Sequence, residues 1–280
     1  MKIAILGVFY SGYKDVWVDF INLFNKFWPN CPYPFYIVSD CENEKYFMNC
    51  NLLSAGSNAE YSRKIQKAIS EIDSDYYLLL LEDFFFEKPI DEEFVNNAIA
   101  FMSKNNISYY AMPMDEFKKN YKGKKIDKSR RMISKRAEYT VSCQPAFWER
   151  NFLKECIGNE NYNAWVFEGI YCKSKYAHTK EFLERCVADV SNPLCLVHGI
   201  LKGKIIPDAV KLINSSGYYL LNNRPKFSDK EYRKEKRKTS LKNALPYWLQ
   251  RIIKKFYKRG SMIDSRSKEI ERVMASMRLE

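Results

Sequence analysis

The sequence lacks the closely spaced cysteine and histidine pairs that build zinc and redox motifs. It contains two histidines in 280 residues, and none of its eight cysteines belongs to a Cys-x-x-Cys pair. The histidines do not have zinc-finger spacing either, so a zinc-finger protein is excluded. We expect the thiols to be reduced, as they are in the cytoplasm.

Long hydrophobic runs are also missing. No stretch approaches the roughly 18 apolar residues of a membrane span. The first apolar run, residues 3–10, is too short and too lightly flanked for a signal peptide. The sequence therefore predicts neither a membrane-spanning nor a secreted chain, and an apolar share of 46% excludes a mainly disordered one.

Positive charge is concentrated near the C-terminal end. Residues 224–280 hold 18 of the 46 Lys and Arg and 7 of the 34 Asp and Glu, which leaves 28 and 27 for residues 1–223. The larger part of the chain is therefore close to neutral. Because it also shows no nucleic-acid-binding motif, we expect no nucleic-acid partner.

Strand and helix patterns alternate along the first hundred residues. Buried-strand patterns occupy residues 2–8, 35–39 and 76–81, and amphipathic helix patterns occupy 15–28, 60–72 and 91–104. A polar, Lys-rich loop is expected at 115–136 and a further helix at 148–156. Alternation of this kind predicts an α/β fold with a mostly parallel sheet flanked by helices.

Two carboxylates, Glu82 and Asp83, directly follow the apolar run Tyr-Tyr-Leu-Leu-Leu-Leu. Open α/β sheets bind ligands at the carboxyl ends of their strands. Adjacent carboxylates repel each other unless a cation neutralises them, and Mg²⁺ and Mn²⁺ favour oxygen ligands. A metal-bound diphosphate is one interpretation; a capped turn with Asp83 paired to a lysine is the other.

Three more residues are candidates for binding the donor. Asp40 ends the second strand pattern, where it could contact a nucleoside or form an Asx turn. Arg63 and Lys64 lie early in the second helix pattern and could meet a diphosphate. A solvated helix face is the alternative for at least one of these two cations.

A later segment, Asn-Ala-Trp-Val-Phe-Glu-Gly, places Glu168 beside aromatic residues. Such surroundings can raise the pKa of a carboxyl group and suit it to proton abstraction. Trp148 and Trp165 could offer a sugar ring an apolar face, and core packing is the alternative. The chemistry of the residues alone does not decide between these interpretations.

The order of these pieces resembles bacterial glycosyltransferases of the GT-A type that act in surface-polysaccharide synthesis. The stretches that carry the resemblance are the N-terminal strand, the helix at 61–72 and the sequences YYLLLLEDFFFEKPID, SCQPAFWERNFL, NAWVFEG and LVHGILKGKI. They extend with gaps over about the first 210 residues. The resemblance implies a catalytic domain at 1–223, with a donor half at about 1–112 and an acceptor half at about 138–213.

In that family an acidic DxD-like motif binds a divalent metal and the nucleotide-sugar diphosphate. Leu81-Glu82-Asp83 departs from the pattern, because it has a single Asp preceded by Glu. The resemblance further implies an acidic catalytic base, which maps best onto Glu168. A late histidine that binds the metal beside Asp83 maps onto His198, for which a core or turn position is the alternative.

The segment 224–280 forms a basic tail with helical periodicity. Apolar residues step by three and four from 241 to 256, with basic residues on other faces, and a second short helix is expected after Gly260. A basic amphipathic helix suits an anionic membrane surface. Docking of the tail onto its own catalytic domain or onto a partner is the alternative.

The sequence thus predicts an enzyme at the inner face of the cell membrane. It would move a sugar from a nucleotide-sugar donor to a lipid-linked or glycan acceptor, with inversion inferred from Glu168. Two alternatives stay open: a nucleotidyltransferase, and a non-catalytic, membrane-associated glycan-binding scaffold with a degenerate transferase fold. Gly7 to Lys14 is a poor match to the Gly-rich basic loop that a nucleotidyltransferase needs.

Overall fold

A computed structural model gives the fold of most of the chain. It describes residues 1–42, 45–48, 50–115, 117–118, 121, 123–137, 139–218, 224–244 and 266–278, and from 239 to 244 the backbone alone. None of the helices in these ranges is both long and apolar enough to cross a membrane.

A twisted sheet forms the centre of the molecule. Its described strands are β1 (Ile3–Val8), β2 (Phe35–Ser39), β3 (Tyr46–Phe47), β4 (Cys50–Ser54), β5 (Tyr76–Leu80), β7 (Tyr109–Ala111), β8 (Arg130–Met132), β9 (Ala146–Glu149) and β10 (Cys186–Asp189). A small second sheet pairs β6 (Phe84–Phe86) with β11 (Leu196–His198), and a hairpin joins β12 (Ile200–Leu201) to β13 (Lys204–Ile205).

The strand order in the large sheet is β3-β4-β2-β1-β5-β9-β7-β10-β8. Strands β4, β2, β1 and β5 are parallel neighbours, β9 is antiparallel to β5 and β7, and β8 runs antiparallel to β10. The predicted mostly parallel α/β fold is confirmed. Parallel strands present their carboxyl ends at one edge, which is where ligands bind in such sheets.

Helices cover both faces of this sheet. They are α1 (Lys14–Phe27), α2 (Tyr61–Glu71), α3 (Glu92–Lys104), α4 (Arg150–Ile157), α5 (Ala164–Lys173), α6 (Lys180–Leu183), α7 (Pro207–Ser215), α8 (Asp229–Ala244) and α9 (Ser267–Met277). Residues of α2, α4, α5 and α9 belong to one apolar core, and those of α1, α3 and α7 to the other. The periodic side chains Val16, Phe20 and Phe24 explain why α1 packs there, since all three are buried.

Two segments differ from the sequence prediction. The helix expected at 148–156 begins at Arg150, because Phe147 and Trp148 extend β9 opposite Leu78 and Tyr77 of β5. Glu149 then caps the helix by accepting the N–H groups of Asn151 and Phe152 at 2.8 Å each. The loop expected at 115–136 contains β8, which pairs with the sheet edge at β10.

The end of the predicted tail packs against the first 223 residues. Helix α9 corresponds to the short helix expected after Gly260, and its Ile270 and Val273 are fully buried in contact with the core that includes α5. Arg272 also pairs with Glu160 at 3.0 Å. The amphipathic stretch expected at 241–256 lies outside the residues whose side chains the structure describes.

Candidate functional site

The carboxyl ends of β1, β2 and β5 bring polar residues together at one edge of the sheet. Tyr10 and Ser11 follow β1, Asp40 follows β2, and Glu82 and Asp83 follow β5. Backbone N–H groups of the first loop join the strands: Tyr10 donates to Oε1 of Glu82 at 3.2 Å, and Ser11 donates to Oδ1 of Asp40 at 3.0 Å. The site is therefore assembled around the loop that leaves β1.

Lys64 reaches this edge from α2. Its Nζ lies 2.6 Å from Oδ1 of Asp40, donates to the carbonyl of Phe9 at 2.9 Å and stands 5.4 Å from the ring centroid of Tyr10. Burial opposes the charge of Asp40, but hydrogen bonds from Lys64 and Ser11 outweigh it and lower the pKa of the carboxyl group. Asp40 and Lys64 thus form a charged pair at neutral pH.

Arg63, the neighbour of Lys64, lies elsewhere. Its side chain is exposed and lines a groove between α2 and α4. Successive helix residues are about 100° apart around the axis, so the turn that points Lys64 at the sheet edge points Arg63 away from it. The structure brings Lys64 to the predicted donor side and leaves Arg63 outside it.

The acidic pair after β5 has two different environments. Glu82 is 7% exposed, whereas Asp83 is half-buried. Burial, followed by the charge of Asp83, raises the pKa of Glu82 to about 8. The charge of Lys64 opposes this shift without cancelling it, so Glu82 is mostly protonated at neutral pH.

His198 stands beside the acidic pair on β11. The register places it opposite Phe84, and Gly199 donates its N–H to the carbonyl of Asp83 at 2.7 Å. The imidazole stacks on Phe84 at 5.6 Å between ring centroids and meets the edge of Phe117 at 5.4 Å. The structure thus brings the predicted metal residues Asp83 and His198 into neighbouring positions, with the histidine ring held between aromatic rings.

The described residues contain no group of three or more His, Cys, Asp or Glu side chains placed to hold a metal ion. Mg²⁺ at a nucleotide diphosphate usually takes most of its ligands from phosphate and water and needs one or two carboxylates from the protein. The neighbouring carboxyl groups of Glu82 and Asp83 fit that mode of binding.

Glu168 approaches from the other half of the molecule, on α5. Asn163 caps this helix, and Oε1 of Glu168 accepts the N–H of Cys143 at 3.2 Å. Burial raises the pKa of the Cys143 thiol well above its ordinary value, and the charges of Glu168 and Asp83 add to that shift. The Cys143 thiol is therefore within electrostatic reach of both carboxyl groups.

Of the two candidate tryptophans, one is exposed and the other is buried. Trp165 is 46% exposed and stands three residues before Glu168, which places both side chains on neighbouring positions of one helix face. Trp148 is 1% exposed in β9, packed on Tyr109 with ring centroids 4.4 Å apart. A sugar has no open ring face at Trp148, so the structure assigns this residue to the core and not to an acceptor surface.

Several residues at the site were not singled out from the sequence. Tyr10 is 55% exposed at the strand edge, and Tyr13 has a pKa raised by burial and by the charges of Asp83 and Glu82, against the opposing charge of Arg224. Arg224 pairs with Asp15 at 2.7 Å and stands 3.9 Å above the Tyr13 ring. Tyr10 could have been recognised as a site residue from its position directly after a buried strand. The sequence holds no comparable signal for Arg224.

Comparisons with known proteins give similarities of fold alone. No protein-family model matches the chain, and no curated protein matches it. Among solved structures, S. aureus TarS 1-349 in complex with UDP-GlcNAc is 14% identical over 77% of this chain and 65% of that one, with a TM-score of 0.46. A second structure of TarS 1-349 gives 14% identity over 68% of this chain and 58% of that one, with a TM-score of 0.42.

A cytidylyltransferase from Leptospira borgpetersenii is 10% identical over 81% of this chain and its whole own length, with a TM-score of 0.43. The chain thus spans less than two thirds of TarS 1-349 in these alignments. Identities and TM-scores this low assign no activity, so the function has to follow from the residues of the chain itself.

Proposed function

We propose that this chain is a nucleotide-sugar-dependent glycosyltransferase. The single observation that supports this activity most is that two carboxylates from distant parts of the chain both lie within electrostatic reach of the Cys143 thiol. Asp83 follows β5 and Glu168 lies on α5, yet the charges of both add to the burial that raises the pKa of this thiol. A transferase of this kind uses two carboxylates. One would hold the metal on the leaving diphosphate, and the other would accept the proton of the attacking hydroxyl.

The donor would bind along the edge formed by β1, β2 and β5. Asp40, held ionised by Lys64, is suited to accept hydrogen bonds from a nucleoside hydroxyl or base. The exposed ring of Tyr10 offers a face on which a base can stack. Glu82 and Asp83 would hold a divalent metal on the diphosphate, which when bound supplies positive charge for the departing group.

Glu168 would act as general base. It accepts the proton of an acceptor hydroxyl as that oxygen bonds to the anomeric carbon, and the electron pair of the breaking C–O bond passes to the diphosphate. One displacement of this kind inverts the anomeric centre. The exposed indole of Trp165, on the same helix face, would carry the acceptor sugar.

The acceptor and location belong to the same proposal. A lipid-linked or oligosaccharide acceptor of bacterial surface-polysaccharide synthesis is made at the inner face of the membrane. The basic stretch at 241–256, with its apolar stripe, would hold the enzyme there as a peripheral protein. The cationic side chains contribute through attraction to anionic headgroups.

Release of nucleotide from a panel of nucleotide sugars tests the activity. The protein is incubated with each donor and Mn²⁺ or Mg²⁺, and free nucleoside diphosphate is measured with and without acceptor mimics. Asp83→Asn should abolish release while the protein stays folded. Asp73→Asn is the matched control, because Asp73 lies on the exposed surface in a pair with Lys2.

The same panel separates the alternatives. Pyrophosphate release from nucleoside triphosphates and sugar phosphates, with nucleotide sugars inert, would identify a nucleotidyltransferase. Glycan binding without release from any donor would identify a non-catalytic scaffold. Equal release by the parent protein and Asp83→Asn would remove Asp83 from the donor site.

A further inference from the structure

A groove between α2 and α4 has no part in the proposed reaction. Its volume is about 560 Å³, and four cationic side chains line it: Arg63 and Lys67 from α2, and Arg150 and Lys154 from α4. None of the residues that line it is acidic. Because residues 1–223 contain nearly equal numbers of basic and acidic residues, this concentration is local and does not reflect a basic surface overall.

The four cations form two pairs with the same spacing. Arg63 and Lys67 are four residues apart on α2, and Arg150 and Lys154 are four apart on α4. Side chains at this spacing share a helix face, with about 6 Å between Cβ atoms. Two contacting helices therefore present repeated positive charges to the space between them.

Among the described residues, two of these four cations are engaged by other groups of the protein, and two are open to a ligand. Lys67 pairs with Glu71 at 2.5 Å on its own helix, whereas among the described residues neither Arg63 nor Lys154 has a carboxylate within ion-pair distance. The Arg150 guanidinium donates to backbone carbonyls, including that of Ile72 at 2.6 Å. Its orientation is fixed by these contacts and its charge is retained.

The shape and lining of the groove select among anionic ligands. A planar membrane surface meets flat or convex faces, whereas cations on the walls of a groove of this volume suit one narrow chain. Nucleic-acid channels add aromatic side chains on which bases stack, and this lining contains no aromatic residue. Guanidinium and ammonium groups repeated along both walls match a chain with repeated phosphate groups.

We propose that this groove binds a phosphate-bearing chain at a site separate from the donor edge. The inference that this ligand is part of the acceptor rests on the proposed transferase function. The inference that the groove binds it does not. Sequence reasoning assigned Arg63 to the donor diphosphate, and the structure assigns it to this second anion site.

Calorimetric binding of linear tripolyphosphate at low salt and in EDTA tests the proposal on the full chain. The double variant Arg63→Gln/Lys154→Gln should weaken binding by about tenfold or more, since a hydrogen bond to a charged group contributes about 1.5–3 kcal/mol. Lys175→Gln/Lys180→Gln is the control, because it removes the same net charge from exposed positions outside the groove. It should bind like the parent protein.

Equal weakening in both double variants, or none in either, would overturn the proposal. Single-stranded oligouridylate and anionic phosphatidylglycerol vesicles serve as further probes. Groove variants that lose oligouridylate or vesicle binding but keep tripolyphosphate binding would reassign the groove to nucleic acid or membrane. Binding needs no donor turnover, so absence of transferase activity would contradict the proposed function and leave this result intact.

Discussion

Asp40 and Lys64 form a buried ion pair that joins β2 to α2 at the edge of the sheet. Their side chains are 9% and 5% exposed, with 2.6 Å between Oδ1 and Nζ. The same Lys64 also binds the carbonyl of Phe9 after β1. One cation thus holds together three of the elements that form the proposed donor site.

Lys64→Met should therefore lower both stability and donor binding. Removing one partner of a buried pair leaves the other charge uncompensated, which typically costs about 3–5 kcal/mol of unfolding free energy. Urea unfolding at neutral pH measures the change. Lys2→Met is the control, because its pair with Asp73 is exposed and should change stability little; an equally small loss for Lys64→Met would contradict the structural role.

The raised pKa of Glu82 predicts how stability depends on pH in the absence of divalent ions. The folded protein holds this proton up to a pKa of about 8, whereas the unfolded chain releases it near 4.5. Between these values the folded state binds more protons, so the contribution of Glu82 makes stability fall as pH rises. In Glu82→Gln that contribution is lost, and thermal unfolding in EDTA from pH 5 to 8 should show a smaller decline.

A decline of the same size in the parent protein and in Glu82→Gln would assign the pH dependence to other groups. The matched variant is Glu181→Gln, which makes the same change at an exposed carboxylate. It should follow the parent curve.

Glu168→Gln should separate donor binding from transfer. The amide cannot accept a proton, and general-base catalysis typically contributes about 10²–10⁴-fold, so transfer should fall by that factor. Donor affinity, measured by thermal shift, should be retained, and the exposed Glu181→Gln should transfer at the parent rate. Unchanged transfer in Glu168→Gln would move the base elsewhere, with Asp115 and Glu116 the next candidates.

The two tryptophans should respond differently to truncation. Trp148→Ala removes a buried ring from β9 and should cost about 3–5 kcal/mol of unfolding free energy. Trp165→Ala removes a half-exposed ring beside Glu168 and should raise the KM for the acceptor with little change in stability. An acceptor KM that changes with neither substitution would place the acceptor on another surface.

The basic stretch of the tail should carry membrane binding. Reversing Lys254, Lys255, Lys258 and Arg259 to Glu should weaken binding to anionic vesicles far more than to neutral ones, because each cation near such a surface contributes about 1 kcal/mol. Sedimentation with vesicles at low salt measures this. Point substitutions suit the test better than truncation at 223, since removing α9 would also remove the buried Ile270 and Val273.

A parent protein that ignores anionic vesicles at low salt would contradict membrane association. The apolar stripe at 241–256 would then pack against the rest of the protein, as helix α9 does. There Ile270 in α9 contacts the core shared with α5, so Ile270→Ala should cost about 2–5 kcal/mol in unfolding.

The sequence by itself determined the order and type of the main elements. Strands β1, β2 and β5 and helices α1, α2 and α3 lie within one or two residues of their predicted bounds, because apolar periodicity and caps act locally. The same reasoning indicated that Asp40, Glu82 and Asp83 lie at one edge, since parallel strands end together. These predictions needed no contact between distant parts of the chain.

Tertiary structure alone decided which way individual side chains point. It turned Lys64 inward and its neighbour Arg63 outward, buried Trp148 and exposed Trp165, and brought Arg224 to Tyr13 from 211 positions along the chain. It also brought Glu168 to the backbone N–H of Cys143 from 25 positions along the chain. Such choices depend on packing between elements that are remote in sequence, which periodicity and composition do not encode.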